Sequence, residues 1–248
     1  YSTFLQRAYD QVFHDVCLMD LPVVFALDRG GVVGADGPTH HGAYDLSYLR
    51  VFPNMHVAAP KDENELRHLL ATALALGRPV AIRYPRGAGY GVALDPEPRP
   101  LPVGKGEVLR VGKDAVVFAV GDPVMPALRA AERLAAEGGA SLTVVNARWV
   151  KPIDAELVAH FVRPGTAVFT VEENAIAGGF GSAVAEALDA QGIAAAVRRL
   201  GIPDRFVPHA TQAEQRAEMG IDEEGLLRTF RAKTAGPGVV PIRARVAS

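Results

Sequence analysis

The sequence predicts two consecutive α/β domains with mainly parallel sheets. Three observations predict it: strand and helix patterns alternate over residues 1–94, a proline-rich break covers 95–112, and the alternation resumes over 113–235. In "TFLQRAYDQVFHDVCLMD", Phe4, Leu5, Ala8, Val12, Phe13 and Val16 recur at helical spacing. "PVVFAL" and "PVAIRY" are short and rich in β-branched residues, which predicts strands. Between them, "APKDENELRHLLATALALG" predicts a helix that Asp62 caps, Glu65 completes as a capping box and Gly77 terminates. "ALDPEPRPLP" then places four prolines within ten residues, which rules out helix and central strand and predicts a linker. Beyond it, "DAVVFAVG", "SLTVVNA", "TAVFTVEE" and "AAVRRLGI" predict strands. "MPALRAAERLAAEG", "DAELVAHF", "GFGSAVAEALDAQG" and "DEEGLLRTFRAKT" predict helices, and residues 236–248 read as a tail.

Composition removes several classes of function. The chain has 248 residues, 49% hydrophobic and 22% charged, which is ordinary for a globular protein and enough for one large core or two modest ones. A formal charge of −2 with no basic cluster argues against nucleic acid as a partner. The longest apolar runs fall far short of the roughly 20 residues that a membrane helix needs, so no membrane association is expected. A single cysteine, Cys17, beside an apolar run reads as a buried structural thiol and suits a reducing cytoplasm. The chain opens on "YSTFLQR" without an initiator Met, which reads as the interior of something longer.

Parallel α/β sheets collect ligands beyond the carboxyl ends of their strands, and two loops leave such ends. "DRGGVVGADGPTHHGAYD" follows "PVVFAL", and "PRGAGYG" follows "PVAIRY". They carry Arg29, Asp36, His40, His41 and Arg86. Two arginines on loops of one sheet offer forked, permanently charged donors suited to a phosphate; the competing reading pairs Arg29 with Asp28 or Asp36. Histidine is the residue type suited to moving protons near neutrality, and Asp36 stands four residues before His40, where a carboxylate can orient an imidazole or bind a hydroxyl. His41 is a neighbour without independent support. No further His or Cys stands at zinc spacing, so no metal is expected on this chain. Phe4 and Tyr1 fit core aromatics at a helix start. Arg83 fits a structural ion-pair partner within its strand. "GGFGSAV" lacks the third glycine of a dinucleotide loop, and a closely packed helix start fits it better. Glu172 and Glu173 fit a solvated strand end.

"YSTFLQRAYDQV", "GADGPTHHGAYDLSYLR" and "IRYPRG", with "WVKPID" and "EENAIAGGFGSAV" further on, resemble the thiamine diphosphate-dependent transketolase-like enzymes over nearly the whole chain. They are most similar to the synthase branch that condenses pyruvate with D-glyceraldehyde 3-phosphate and releases CO2, whose product feeds isoprenoid, thiamine and pyridoxal biosynthesis. The resemblance implies a pyrimidine-binding domain (1–94) lacking its beginning, a linker (95–112) and a carboxyl-terminal transketolase-type domain (113–235). It implies thiamine diphosphate as cofactor, with Mg2+ held by a domain upstream, and a homodimer. By the same resemblance Phe4 stacks on the aminopyrimidine and Arg7 lines the cofactor site. Tyr1, Arg29 and Arg86 hold the aldehyde's phosphate, while Asp36 and His40 serve the reacting carbonyl and hydroxyl groups. The other readings are a transketolase or the β subunit of a 2-oxo acid dehydrogenase, and, outside enzymes, an α/β binding or regulatory module.

Overall fold

A computed structural model describes residues 1–234; the tail expected at 236–248 lies outside the described residues. Residues 2–17 form one helical segment, α1, whose turns pass from α to 3-10 to α and end as a π turn over Val12–Cys17. Then follow β1 (Val24–Leu27), α2 (Asp45–Leu49), β2 (His56–Ala58), α3 (Glu63–Leu76) and β3 (Val80–Arg83). The second half holds β4 (Glu107–Arg110), β5 (Ala115–Ala119), α4 (Val124–Ala136), β6 (Leu142–Asn146), β7 (Trp149–Lys151), α5 (Ala155–Phe161), β8 (Ala167–Ala175), α6 (Phe180–Ala190), β9 (Val197–Ile202), α7 (Gln212–Met219) and α8 (Glu223–Thr234).

The strands form two sheets, of order β1-β3-β2-β7 and β4-β6-β5-β8-β9. Each is parallel except at one edge, where β7 and β4 run antiparallel to their neighbours. The predicted strands of both halves are present. Sequence patterns missed β2, β4, β7, α2 and α7. β2 and β7 have only three residues each, too few to show a period, and β4 lies inside the stretch read as linker.

Local capping explains where α3 begins and ends. Asp62 accepts the Glu65 N–H at 2.7 Å, and Gly77 closes the helix with left-handed backbone at φ 67°. The expected reciprocal bond is absent: the Glu65 carboxylate takes the Lys61 N–H at 2.7 Å, one residue ahead of the cap. It also accepts from Asn146 and Arg148, so this helix start is joined to the end of β6.

The two sheets share one apolar core. Leu27, Leu46, Met55 and Val57 from the first half pack in the same buried cluster as Phe118, Val145, Val150 and Phe180 from the second. Trp149 of β7, wholly buried, joins Ala58, Leu69, Val80 and Ile82 on the other face of the first sheet. A separate cluster packs α4 and α8 on the second sheet, with Phe169 and Phe230 ring centroids 5.1 Å apart. Cys17 is buried as expected, and burial pushes its thiol pKa up, away from the reactive thiolate.

Candidate functional site

The loops leaving β1 and β3 are joined by the Gly30 N–H, which donates to the Tyr84 carbonyl at 2.9 Å. The chain from Asp28 to Asp45 turns repeatedly with positive φ, at Arg29 (55°), Gly31 (84°), Gly34 (80°) and Gly37 (75°). At Gly31 a side chain is disfavoured on two counts, because its Cβ would also overlap the Glu173 carboxylate. At Gly37 the Cβ would overlap the ring of His209.

Two groupings emerge from the residues singled out in the sequence. In the first, the Phe4 ring lies 4.4 Å from that of Tyr1 and 5.7 Å from that of His40, and the Arg29 guanidinium sits 4.2 Å from the Tyr1 ring centroid. Phe4 is 47% exposed, so it is no core aromatic. His40 Nδ1 pairs with Thr39 Oγ1 at 2.9 Å. In the second, Arg86 donates to Asp36 at 3.0 Å and to the Val33 carbonyl at 2.8 Å. Arg86 lines an open groove of about 530 Å³ with Val33, Ala35, His209 and Gln212.

This geometry corrects one expectation and matches the competing reading of Arg29. Asp36 does not orient His40; its partner is Arg86, from the neighbouring loop. Arg29 takes Asp28 as its partner at 2.6 Å, while its buried Nε has none among the described residues. His41 is structural: its buried Nδ1 accepts the Val33 N–H at 3.1 Å, which leaves Nε2 to carry the proton toward the Val207 carbonyl at 3.2 Å. Burial lowers its pKa and favours that neutral form. Arg7 lies exposed on α1, outside both groupings.

Behind the loops runs a buried ionic chain that local patterns did not reveal. Arg83, 3% exposed, donates to Asp45 Oδ2 at 3.2 Å and to the carbonyls of Gly42 and Glu173. The structural ion pair expected of Arg83 is present, and its partner Asp45 also accepts from Ser2 Oγ at 2.7 Å. Glu173 accepts the Val32 N–H and an Arg216 N–H, each at 2.9 Å, and Arg216 continues to Asp122 at 3.1 Å. Burial pushes the Glu173 pKa up, and Arg216 opposes that shift.

Glu172 and Glu173 are 0% and 1% exposed, so the solvated strand end expected for them is wrong. β8 continues through them to Ala175, against β9. Glu172 accepts the N–H groups of Phe180 and Gly181 at 2.7 and 2.8 Å, so its carboxylate fills the start of α6. A Cβ at Gly181 would overlap Thr170, which bears out the close-packed helix start over a dinucleotide loop.

Burial drives the Glu172 pKa from 4.5 up to about 7, against the opposing pull of those two N–H groups. A carboxyl whose folded pKa is raised holds its proton more tightly folded than unfolded. Its stabilising effect is therefore complete below pH 4.5 and fades as the pH climbs through about 7. We expect the melting temperature of Glu172→Gln, relative to the native protein, to rise between pH 4.5 and 7 and to level off above. Parallel melting curves across that window would show that Glu172 does not titrate there.

Helix α7, which the sequence reading passed over, contacts both loops. Its signals were present: Thr211 and Glu214 form a full capping box and Gly220 ends the helix at φ 69°. From it, Gln215 accepts the Gly34 N–H at 3.0 Å and donates to the Gly34 carbonyl at 3.2 Å.

Residues 1–90 match the family "Transketolase, pyrimidine binding domain" and residues 104–226 match "Transketolase, C-terminal domain". A 1-deoxy-D-xylulose-5-phosphate synthase 1 of Geobacter sulfurreducens is 58% identical over 96% of the chain and 37% of its own length. A synthase of the same name from Syntrophus aciditrophicus is 60% identical over 94% of the chain and 36% of its own length. The chain thus spans little more than a third of these relatives. Among solved structures, a split gene transketolase described as an inactive beta4 tetramer superposes with a TM-score of 0.81 at 31% identity, covering 94% of this chain and 74% of that one. The transketolase of Leishmania mexicana, 22% identical, shares the fold with a TM-score of 0.74, over 98% of this chain and 35% of its own.

Proposed function

Because the chain belongs to the transketolase family, we propose that it forms the pyrimidine-binding and carboxyl-terminal parts of a 1-deoxy-D-xylulose-5-phosphate synthase. That enzyme condenses pyruvate with D-glyceraldehyde 3-phosphate, consumes one proton and releases CO2. Identity of 58–60% to synthases of that name supports this choice within the family. We assign residues 1–94 to the first domain, 95–112 to the connection and 113–235 to the second domain. The upstream part of the complete protein supplies the groups for Mg2+, and the enzyme works as a cytoplasmic homodimer.

The observation that carries the site is the exposed face of Phe4 beside His40. A flat aromatic ring open to one side, edged by Tyr1 and an imidazole, suits stacking against a heteroaromatic ring such as the aminopyrimidine of thiamine diphosphate. Arg7, exposed on α1 outside that grouping, is assigned to the cofactor by the family resemblance alone. Bound there, the cofactor supplies a carbon nucleophile that accepts pyruvate and lets CO2 depart. The chain's own residues then bind and protonate. Arg29 and Arg86 present permanent positive charge to the phosphate, and the partnerless Arg29 Nε is a donor that an oxygen can satisfy. Tyr1 packs beneath that guanidinium. His40 keeps Nδ1 on Thr39, which directs Nε2 to the aldehyde oxygen as it becomes a hydroxyl. Asp36, held beside Arg86, aligns the hydroxyl groups.

The complete protein, supplied with thiamine diphosphate and Mg2+, should release labelled CO2 from pyruvate faster when D-glyceraldehyde 3-phosphate is added, with a phosphorylated ketose formed. Turnover only with ketose donors would turn the reading to a transketolase. No cofactor binding by the complete protein would turn it to a non-enzymatic module.

A further inference from the structure

We propose that Gln212 is a positioning residue whose amide, acting beyond the Gly30–Tyr84 backbone bond at the strand ends, fixes the spacing of the two loops that carry Arg29 and Arg86 at Val32 and Arg86, and through it recognition of the phosphorylated aldehyde. The inference rests on the proposed reading of the site as one that takes D-glyceraldehyde 3-phosphate.

The capping box starts α7 so that Gln212, Gln215 and Arg216, spaced i, i+3 and i+4, fall on one face. That face meets the first domain. Gln212 Nε2 donates to the Val32 carbonyl at 2.8 Å and to the Arg86 carbonyl at 3.2 Å. The first acceptor lies three residues beyond Arg29; the second belongs to Arg86 itself. Gln215 and the Arg216–Glu173 pair hold only the loop after β1, at Gly34 and at the Val32 N–H. Among the described residues of α7, Gln212 alone donates to both loops. Arg86 also spans the loops through its bond to the Val33 carbonyl, but that bond engages the guanidinium needed by a phosphate. The Gln212 amide keeps the loops in register while Arg86 changes partner. Two arginines on separate loops can grip one phosphate only at a fixed separation, and small misplacements weaken such binding steeply.

Two variants of the complete protein test this. Gln212→Met keeps the length without a donor, and Gln212→Lys keeps a donor. Losing two hydrogen bonds should raise the KM for D-glyceraldehyde 3-phosphate about 5- to 30-fold, leave the KM values for pyruvate and for unphosphorylated D-glyceraldehyde unchanged, and be largely reversed in the Lys variant. Equal losses with both aldehydes, or no loss, would overturn the proposal. Amide hydrogen exchange provides a readout independent of turnover: in Gln212→Met, segments 30–37 and 84–91 should both exchange faster. Acceleration of one segment alone, or of neither, would also overturn it. Should the native protein form no phosphorylated ketose, the synthase reading fails, and exchange still decides whether Gln212 joins the loops.

Discussion

Replacing Arg83 by Met should lower the melting temperature by about 6–20 °C, since breaking a buried ion pair costs about 3–5 kcal/mol and each kcal/mol shifts a chain of this size by about 2–4 °C. Arg83 donates to Asp45 and to two backbone carbonyls from inside the protein, and methionine keeps its apolar stem while removing every donor. Asp45, wholly buried, would retain Ser2 Oγ and the Leu46 N–H but lose its countercharge. The second change Asp45→Asn removes that stranded charge, so Arg83→Met/Asp45→Asn should melt above Arg83→Met alone. A single-variant shift below about 4 °C, near the effect of one ordinary kcal/mol, would mean that water reaches the pair. The consequence goes beyond stability, because the same guanidinium touches the carbonyls of Gly42, in the site loop, and Glu173, in β8.

Arg86→Ala should raise the KM for D-glyceraldehyde 3-phosphate about 30- to 150-fold, from the loss of about 2–3 kcal/mol of charge-assisted contact. The lower part of the range for desolvated charge pairs applies because the Arg86 side chain is 43% exposed. Folding and the KM for pyruvate should stay near native values, since its protein partners are Asp36 and one carbonyl at the groove edge. Steady-state kinetics with each substrate varied in turn separates the effects. An unchanged KM for the phosphorylated aldehyde would remove Arg86 from the phosphate grip, and a parallel rise for pyruvate would make it a general determinant of the loop. Asp36 complicates neither outcome: freed of Arg86, its carboxylate stays at a solvent-accessible edge.

Much of the architecture follows from rules that act over a few residues. The β-branched runs of β1, β3, β5, β6 and β8 and the caps Asp62 and Gly77 are local signals, and each produced the element expected of it. The positive-φ glycines are local too, and they let the chain turn repeatedly after β1. "TQAE" before α7 was legible in the same way, since a capping box requires only Thr211 and Glu214. It was passed over because α7 has little apolar face: its inward side is Gln212, Gln215 and Arg216, and a polar face has no hydrophobic period.

By itself the sequence determined the alternation of strands and helices and the placing of Arg29, Asp36, His40 and Arg86 on loops at strand ends. Only the tertiary structure decided which of these meet. Asp36 turned from His40, four residues away, to Arg86, fifty residues away. β7 left its own half to complete the first sheet, and Glu172 and Glu173, which look solvated in sequence, became the capping and bridging charges of the interior. The physical reason is that caps, turns and periodicity are satisfied within one element, whereas a buried charge or amide is satisfied only by whatever packing brings beside it. Here that partner stands 141 residues away for Glu173 and Val32, and 181 for Gln215 and Gly34.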